Sequence, residues 1–124
     1  MGSTTKETKG RTGIRAASSL KHLHRVITEF RKLDGDISAQ VIETFLLVAQ
    51  KEGIMVHQIA DQMDVATATA SRHVATLGQW NRYRRPGMGL VELREVLSDR
   101  RYKEATLTDK GREFRDRIAS LMED

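Results

Sequence analysis

Arg100, Arg101 and Lys103 crowd around Asp99 in a short turn between two β-prone runs of this 124-residue chain. The run Leu90 to Leu97 can pair back on Tyr102 to Leu107 as a hairpin, which carries the cations at its tip, with Arg94 on the outgoing strand. Guanidinium and ammonium groups presented this way reach a phosphate backbone or a groove. The plain alternative is a charged tip that blunts an exposed sheet edge.

A second set of residues sits on a predicted helix from Thr67 to Leu77. Spacing them 100° apart puts Ala70, Val74 and Leu77 on one side and Ala68, Arg72, Ala75 and Thr76 roughly opposite, with Thr69 and Ser71 on the flanks. One face is core and the other is free. A helix from His57 to Met63 precedes it, with the turn at Asp64 and Val65, so the pair reads as a helix-turn-helix. In that motif the N-terminal part of the second helix meets base edges in the major groove. Small residues let the backbone approach, Thr or Ala meets a thymine methyl, and Arg pairs two-pronged with guanine. Arg72 is the leading base-reading candidate, beside Thr67, Ala68, Thr69, Ser71 and Thr76; a solvated surface arginine is the alternative.

Together these residues resemble a known family. Asp99-x-Arg101, five residues, then Leu107-Thr108-x-x-Gly111, with Gly89-Leu90-Val91-Glu92 upstream, is similar to the signature of MarR-type winged helix-turn-helix regulators, over residues 38 to 114. The resemblance implies a mainly α fold with a small β-hairpin, the winged helix-turn-helix. It also implies a wing arginine in the minor groove, with Asp99 holding an arginine in place; guanidinium is drawn to the narrow, negative minor groove of A·T tracts. The family pattern Gly-Leu-Ser-x-x-Thr-Val-Ser-Arg stands here as Asp64 to Arg72. Thr69, Ser71 and Arg72 match, whereas Asp64, Ala66 and Ala70 depart. Asp visits left-handed backbone more readily than most residues, and without a serine at 66 the helix cap is expected to pass to Thr67.

The largest departure is Gly78 to Met88, longer than the family's usual link before the wing. Arg82, Arg84 and Arg85 alternate there with Trp80 and Tyr83. Arginines can hold phosphates while the rings stack on exposed bases, or the rings can bury their area in the core. Both readings stay open, and the three arginines are expected backbone contacts.

The elements that must position these groups follow from periodicity. Leu20, Leu23, Ile27, Phe30 and Leu33 mark a helix from Ala16 to near Asp34-Gly35, behind a flexible basic tail over residues 1–15. Ser38 caps a core helix bearing Val41, Ile42, Phe45, Leu46 and Ala49. Ile54 to Val56 is a short β-prone link. Thr108 or Asp109 starts a last helix with Phe114, Ile118, Leu121 and Met122 on one stripe. One domain, 16–124, is expected.

Composition narrows the classes further. Apolar residues at 39% and charged residues at 31% fit a folded, helix-rich chain. Lys and Arg outnumber Asp and Glu eight to two over residues 1–33 and eight to three over 65–103, but are outnumbered one to six over 34–64 and four to six over 104–124. Positive charge thus gathers where a phosphate-binding surface needs it. The absence of cysteine excludes disulfides and thiolate zinc sites. His22, His24, His57 and His73 form no metal constellation, and no nucleophile elbow or phosphate-binding loop occurs, so neither metal, cofactor nor enzyme activity is expected. No run approaches the roughly 20 apolar residues of a membrane span, and a cytoplasmic location is expected.

The expected function is sequence-specific duplex DNA binding in transcription regulation. The alternatives are a single-stranded nucleic-acid binding protein, or a winged-helix module docking on a protein of a transcription or replication complex. Expected partners are double-stranded DNA and no membrane. The resemblance also implies a homodimer built from helices at both chain ends, with a small-molecule effector between them and the DNA-binding lobe. Only thirteen residues follow Gly111, so a short dimer arm is expected.

Overall fold

The computed structural model describes residues 2–79 and 86–123, with side chains from residue 12 onward. The order is α1 (Gly2–Leu33), α2 (Ala39–Gln50), β1 (Ile54–Met55), α3 (Val56–Met63), α4 (Thr67–Leu77), β2 (Val91–Val96), β3 (Asp99–Leu107) and α5 (Asp109–Leu121). Among the described residues no helix is long and apolar enough to cross a membrane.

The chain's three phenylalanines join α1, α2 and α5. Phe30, Phe45 and Phe114 are essentially buried and meet edge to face, with centroids 5.0 to 5.6 Å apart. Edge-to-face packing sets the positive ring edge against a negative ring face, so the triad adds geometry to area. Val26, Val48 and Ile118 close around it, and Ile59, Val74 and Leu77 carry the same core under α3 and α4. Ser38 starts α2 as expected, its hydroxyl accepting the Val41 amide at 3.1 Å.

The helix expected from Ala16 extends back to Gly2, through the residues read from sequence as a flexible tail. No proline interrupts that stretch, and adding a turn to an existing helix costs far less than starting one. Residues 12–20 are all exposed, so this part of α1 makes little packing contact with its own chain.

The link at Ile54 is a strand. β1 pairs with β3 (Ile54 with Ala105, Met55 with Glu104), making a three-stranded antiparallel sheet in the order β1-β3-β2. Buried Val91, Ala105 and Leu107 anchor the wing root to the helices.

The start of α5 locks that root. Thr108 caps α5 by accepting the Gly111 amide at 3.0 Å, while its own hydroxyl donates to the Gly89 carbonyl at 2.6 Å and its backbone amide donates to Leu90 at 3.0 Å. Gly111 packs so tightly on the Leu90 carbonyl that a methyl group there would clash with it, and Gly89 has φ +70°, a left-handed conformation that suits glycine. These contacts give Gly89, Thr108 and Gly111 a structural reason for standing at this spacing.

Candidate nucleic-acid interface

Asp64 makes the turn between α3 and α4 with φ 55° and ψ 48°, the left-handed conformation expected of it, and the Val65 amide donates to the Ala60 carbonyl at 3.0 Å. Ala66, not Thr67, occupies the cap position: its extended backbone starts α4 directly and no side chain caps it. Thr67 is therefore the first helical residue. Its displacement from the cap follows from Ala66 already holding the φ and ψ a cap residue needs. The helix keeps the register read from sequence.

Burial divides α4 as the periodicity requires. Ala70, Val74 and Leu77 are buried, while Thr67, Ala68, Ser71 and Arg72 are exposed. Thr69 and Thr76 are half-buried with engaged hydroxyls: Arg72 Nη2 donates to Thr69 Oγ1 at 3.1 Å, and Thr76 Oγ1 donates to the Arg72 carbonyl at 3.0 Å. Arg72 is thus steadied along the helix surface without being buried. His73 lies 2.7 Å from Gln40 Oε1 through Nε2, tying α4 to the start of α2. Burial, followed by the neighbouring Arg72 charge, holds its imidazole below the usual pKa.

The wing tip departs from a regular ladder. Glu95 faces Lys103, but the next pair is Val96 with Asp99, so Arg100, Arg101 and Tyr102 bulge out of β3. Bulges bend a strand and re-aim its side chains. Asp99 takes Arg101 from three donors: Nε at 3.0 Å, Nη2 at 2.6 Å and the backbone amide at 3.1 Å. The Arg101 side-chain and backbone hydrogen bonds hold the Asp99 carboxyl below its ordinary range, against a small opposing effect of burial. The Arg101 guanidinium lies 5.6 Å from the centre of the Tyr102 ring, which in turn rests 4.9 Å from the His57 ring of α3.

These contacts bring wing and helix to one place. A cleft of about 490 Å³ is lined on the helical side by Val56, His57, Thr67 and Ser71, and on the wing side by Leu93, Arg101, Tyr102 and Lys103. Arg94 is not part of it: Arg94 opposes Glu104 on the other ladder face and pairs with Glu92 at 2.8 Å. Arg100 is exposed on the bulge. Arg82, Arg84 and Arg85, with Trp80 and Tyr83, lie outside the described residues. Sequence reasoning missed His57, Val56, Leu93 and Tyr102 as cleft residues. The one signal was an aromatic ring next to the arginine pair, and its contact with His57 joins residues too far apart for spacing to reveal. Among the described residues no group of His, Asp and Glu could hold a metal ion.

Comparison with family models and with curated proteins gives no match. Solved structures do match. MarR aligns at a TM-score of 0.60 and 19% identity, over 90% of this chain and 74% of that one. A mutant of MepR from S. aureus aligns at 0.66 and 16% identity, over 90% and 74%. FabT from Streptococcus pneumoniae, solved in complex with DNA, aligns at 0.59 and 21% identity, over 92% and 78%. The chain therefore has the winged helix-turn-helix fold of the MarR-type regulators.

Proposed function

We propose that this protein binds duplex DNA sequence-specifically and regulates transcription, with α4 in the major groove and the β2–β3 wing on the minor groove. The observation that carries this reading is the cleft where the exposed start of α4, through Thr67 and Ser71, meets Arg101 and Lys103 of the wing. A duplex laid across both presents phosphates to the cations and base edges to the small residues of α4. The solved relative FabT is complexed with DNA, which supports the same class of partner. Arg72, with Thr67, Ala68, Thr69, Ser71 and Thr76 around it, reads bases; Arg82, Arg84, Arg85, Arg100, Arg101 and Lys103 contact backbone or minor groove, whereas Arg94, on the other ladder face and paired with Glu92, has no place in the cleft.

Two copies acting together fit the exposed apolar residues Leu20 and Leu23, midway along α1, and Met122, just after α5. A two-fold dimer would set two α4 helices on half-sites about one DNA turn apart.

The test is selection of bound sequences from a random duplex pool, followed by titration of Arg72→Ala on the selected site. Loss of an arginine that pairs two-pronged with guanine costs about 1 to 3 kcal/mol and relaxes specificity at that base. Unchanged specific binding by this variant overturns the assignment of α4 as the reading helix. A preference for single strands over any duplex would favour the alternative built on the Trp80 to Arg85 segment.

A further inference from the structure

Leu97 is the residue the proposed interface leaves unexplained. β2 and β3 are joined by Leu97 and Ser98 alone, between the paired residues Val96 and Asp99. At that tip Leu97 is 100% exposed, more than any other large hydrophobic residue described. Turn chemistry does not require it. Tight hairpin links favour Asn, Asp and Gly, whose side chains or freedom suit the bend, and neither Leu97 nor Ser98 adopts positive φ. Folding does not require it either, because it packs on nothing.

What surrounds Leu97 points to an occupant. The Asp99–Arg101 contacts pin one side of the tip, so the leucine is presented on a stiff support and loses little freedom on docking. Arg100, three residues on, is exposed and without a partner among the described residues, and leaves an unpaired positive charge on the tip, whereas the charge of Arg101 is paired with Asp99. An apolar point beside an unpaired guanidinium fits a groove with walls of phosphate and a floor of base edges. β2, at six residues, spans about 20 Å, long enough for the tip to reach the minor groove beside a helix seated in the major groove.

We propose that Leu97 is an apolar wedge that enters the minor groove of the bound duplex and partly unstacks the base step it meets, so that easily deformed steps are preferred under the wing. Apolar side chains inserted at minor-groove steps unstack and kink DNA in this way, and pyrimidine–purine steps yield most readily. The inference rests on the duplex-binding reading and deepens it. It adds selection by deformability at positions that α4 does not touch.

The experiment uses the full chain and a duplex selected by it, with 2-aminopurine placed in turn at each step under the wing. The wild-type protein raises the probe's fluorescence at one step, and replacing that step with a stiff A-tract weakens binding. Leu97→Ser abolishes the fluorescence rise, loses the preference for the deformable step and lowers affinity about tenfold, while Leu97→Met retains all three. Discrimination against base changes under α4 is the same in all three proteins, and melting is unchanged because Leu97 makes no core contact. Undiminished fluorescence or step preference in Leu97→Ser overturns the wedge while leaving duplex recognition standing. Failure of the wild type to bind any duplex overturns both, and weakened docking on a protein partner instead would reassign the tip to that surface.

Discussion

Glu52 links three parts of the molecule through one carboxylate. Its Oε1 accepts the Leu107 amide at 3.0 Å and Arg112 Nη2 at 3.0 Å, and Oε2 lies 3.7 Å from Arg115, so the turn before β1 holds both the wing root and α5. The Leu107 hydrogen bond, followed by the Arg112 and Arg115 charges, holds its carboxyl below the ordinary value of 4.5, with burial opposing. A carboxylate depressed in the folded state contributes stability that is fully present above that value and is lost as pH falls through the folded pKa. Glu52→Gln should therefore flatten the fall in stability below about pH 4.5, read by urea unfolding across a pH series. An unchanged acid limb would mean that the carboxylate charge plays no part in the clamp. Asp99 is similarly depressed by Arg101, but it sits half-buried at the wing tip and orients the wing arginine rather than supporting the core.

At the scale of elements, α4 must be free on one face and fixed on the other. Its fixed face rests on Ala70, Val74 and Leu77, and its sideways position on the His73–Gln40 contact with α2. Because burial and Arg72 favour the neutral imidazole, the unfolded chain takes up a proton first as acidity rises. Stability from this group is complete above about pH 6.5 and falls as pH drops below it, until the folded pKa is reached. His73→Gln should remove that slope while leaving the acid limb of Glu52, a separation that thermal melts between about pH 2.5 and 7.5 would show. A slope retained in the variant would place its origin elsewhere. The wing shows the complementary case. Its strands were readable as two β-prone runs, but the turn expected around Asp99 falls instead at Leu97 and Ser98, and the three-residue bulge of Arg100 to Tyr102 was not readable, because pairing Asp99 with Val96 depends on a register no local preference sets.

The whole molecule is built on a core of three phenylalanines, with an apolar stripe midway along α1 and Met122 after α5 left partly uncovered. Leu20 is 61% exposed, Leu23 46% and Met122 51%, and the first two share one stripe with buried Phe30. Within one chain that stripe is only half covered, which is the basis for proposing a dimer. The double substitution Leu20→Glu, Leu23→Glu should yield a folded monomer by analytical ultracentrifugation, with binding to a two-half-site duplex reduced to that of a single half-site. A dimer that survives both charges would place the contact elsewhere. The sequence by itself determined α2 to α5, the pairing of two wing strands and the turn at Asp64, though neither the start of α1 nor the place of the wing turn, because spacing of apolar residues, capping by Ser38 and Thr108, and the tolerance of Asp for left-handed backbone are properties of residues close along the chain. Only the tertiary structure decided that Ile54 pairs with Ala105, that Glu52 clamps Leu107 and that His57 supports Tyr102 beside the α4 cleft. These contacts join residues 45 or more positions apart, and their energy exists only once the core has brought distant segments together.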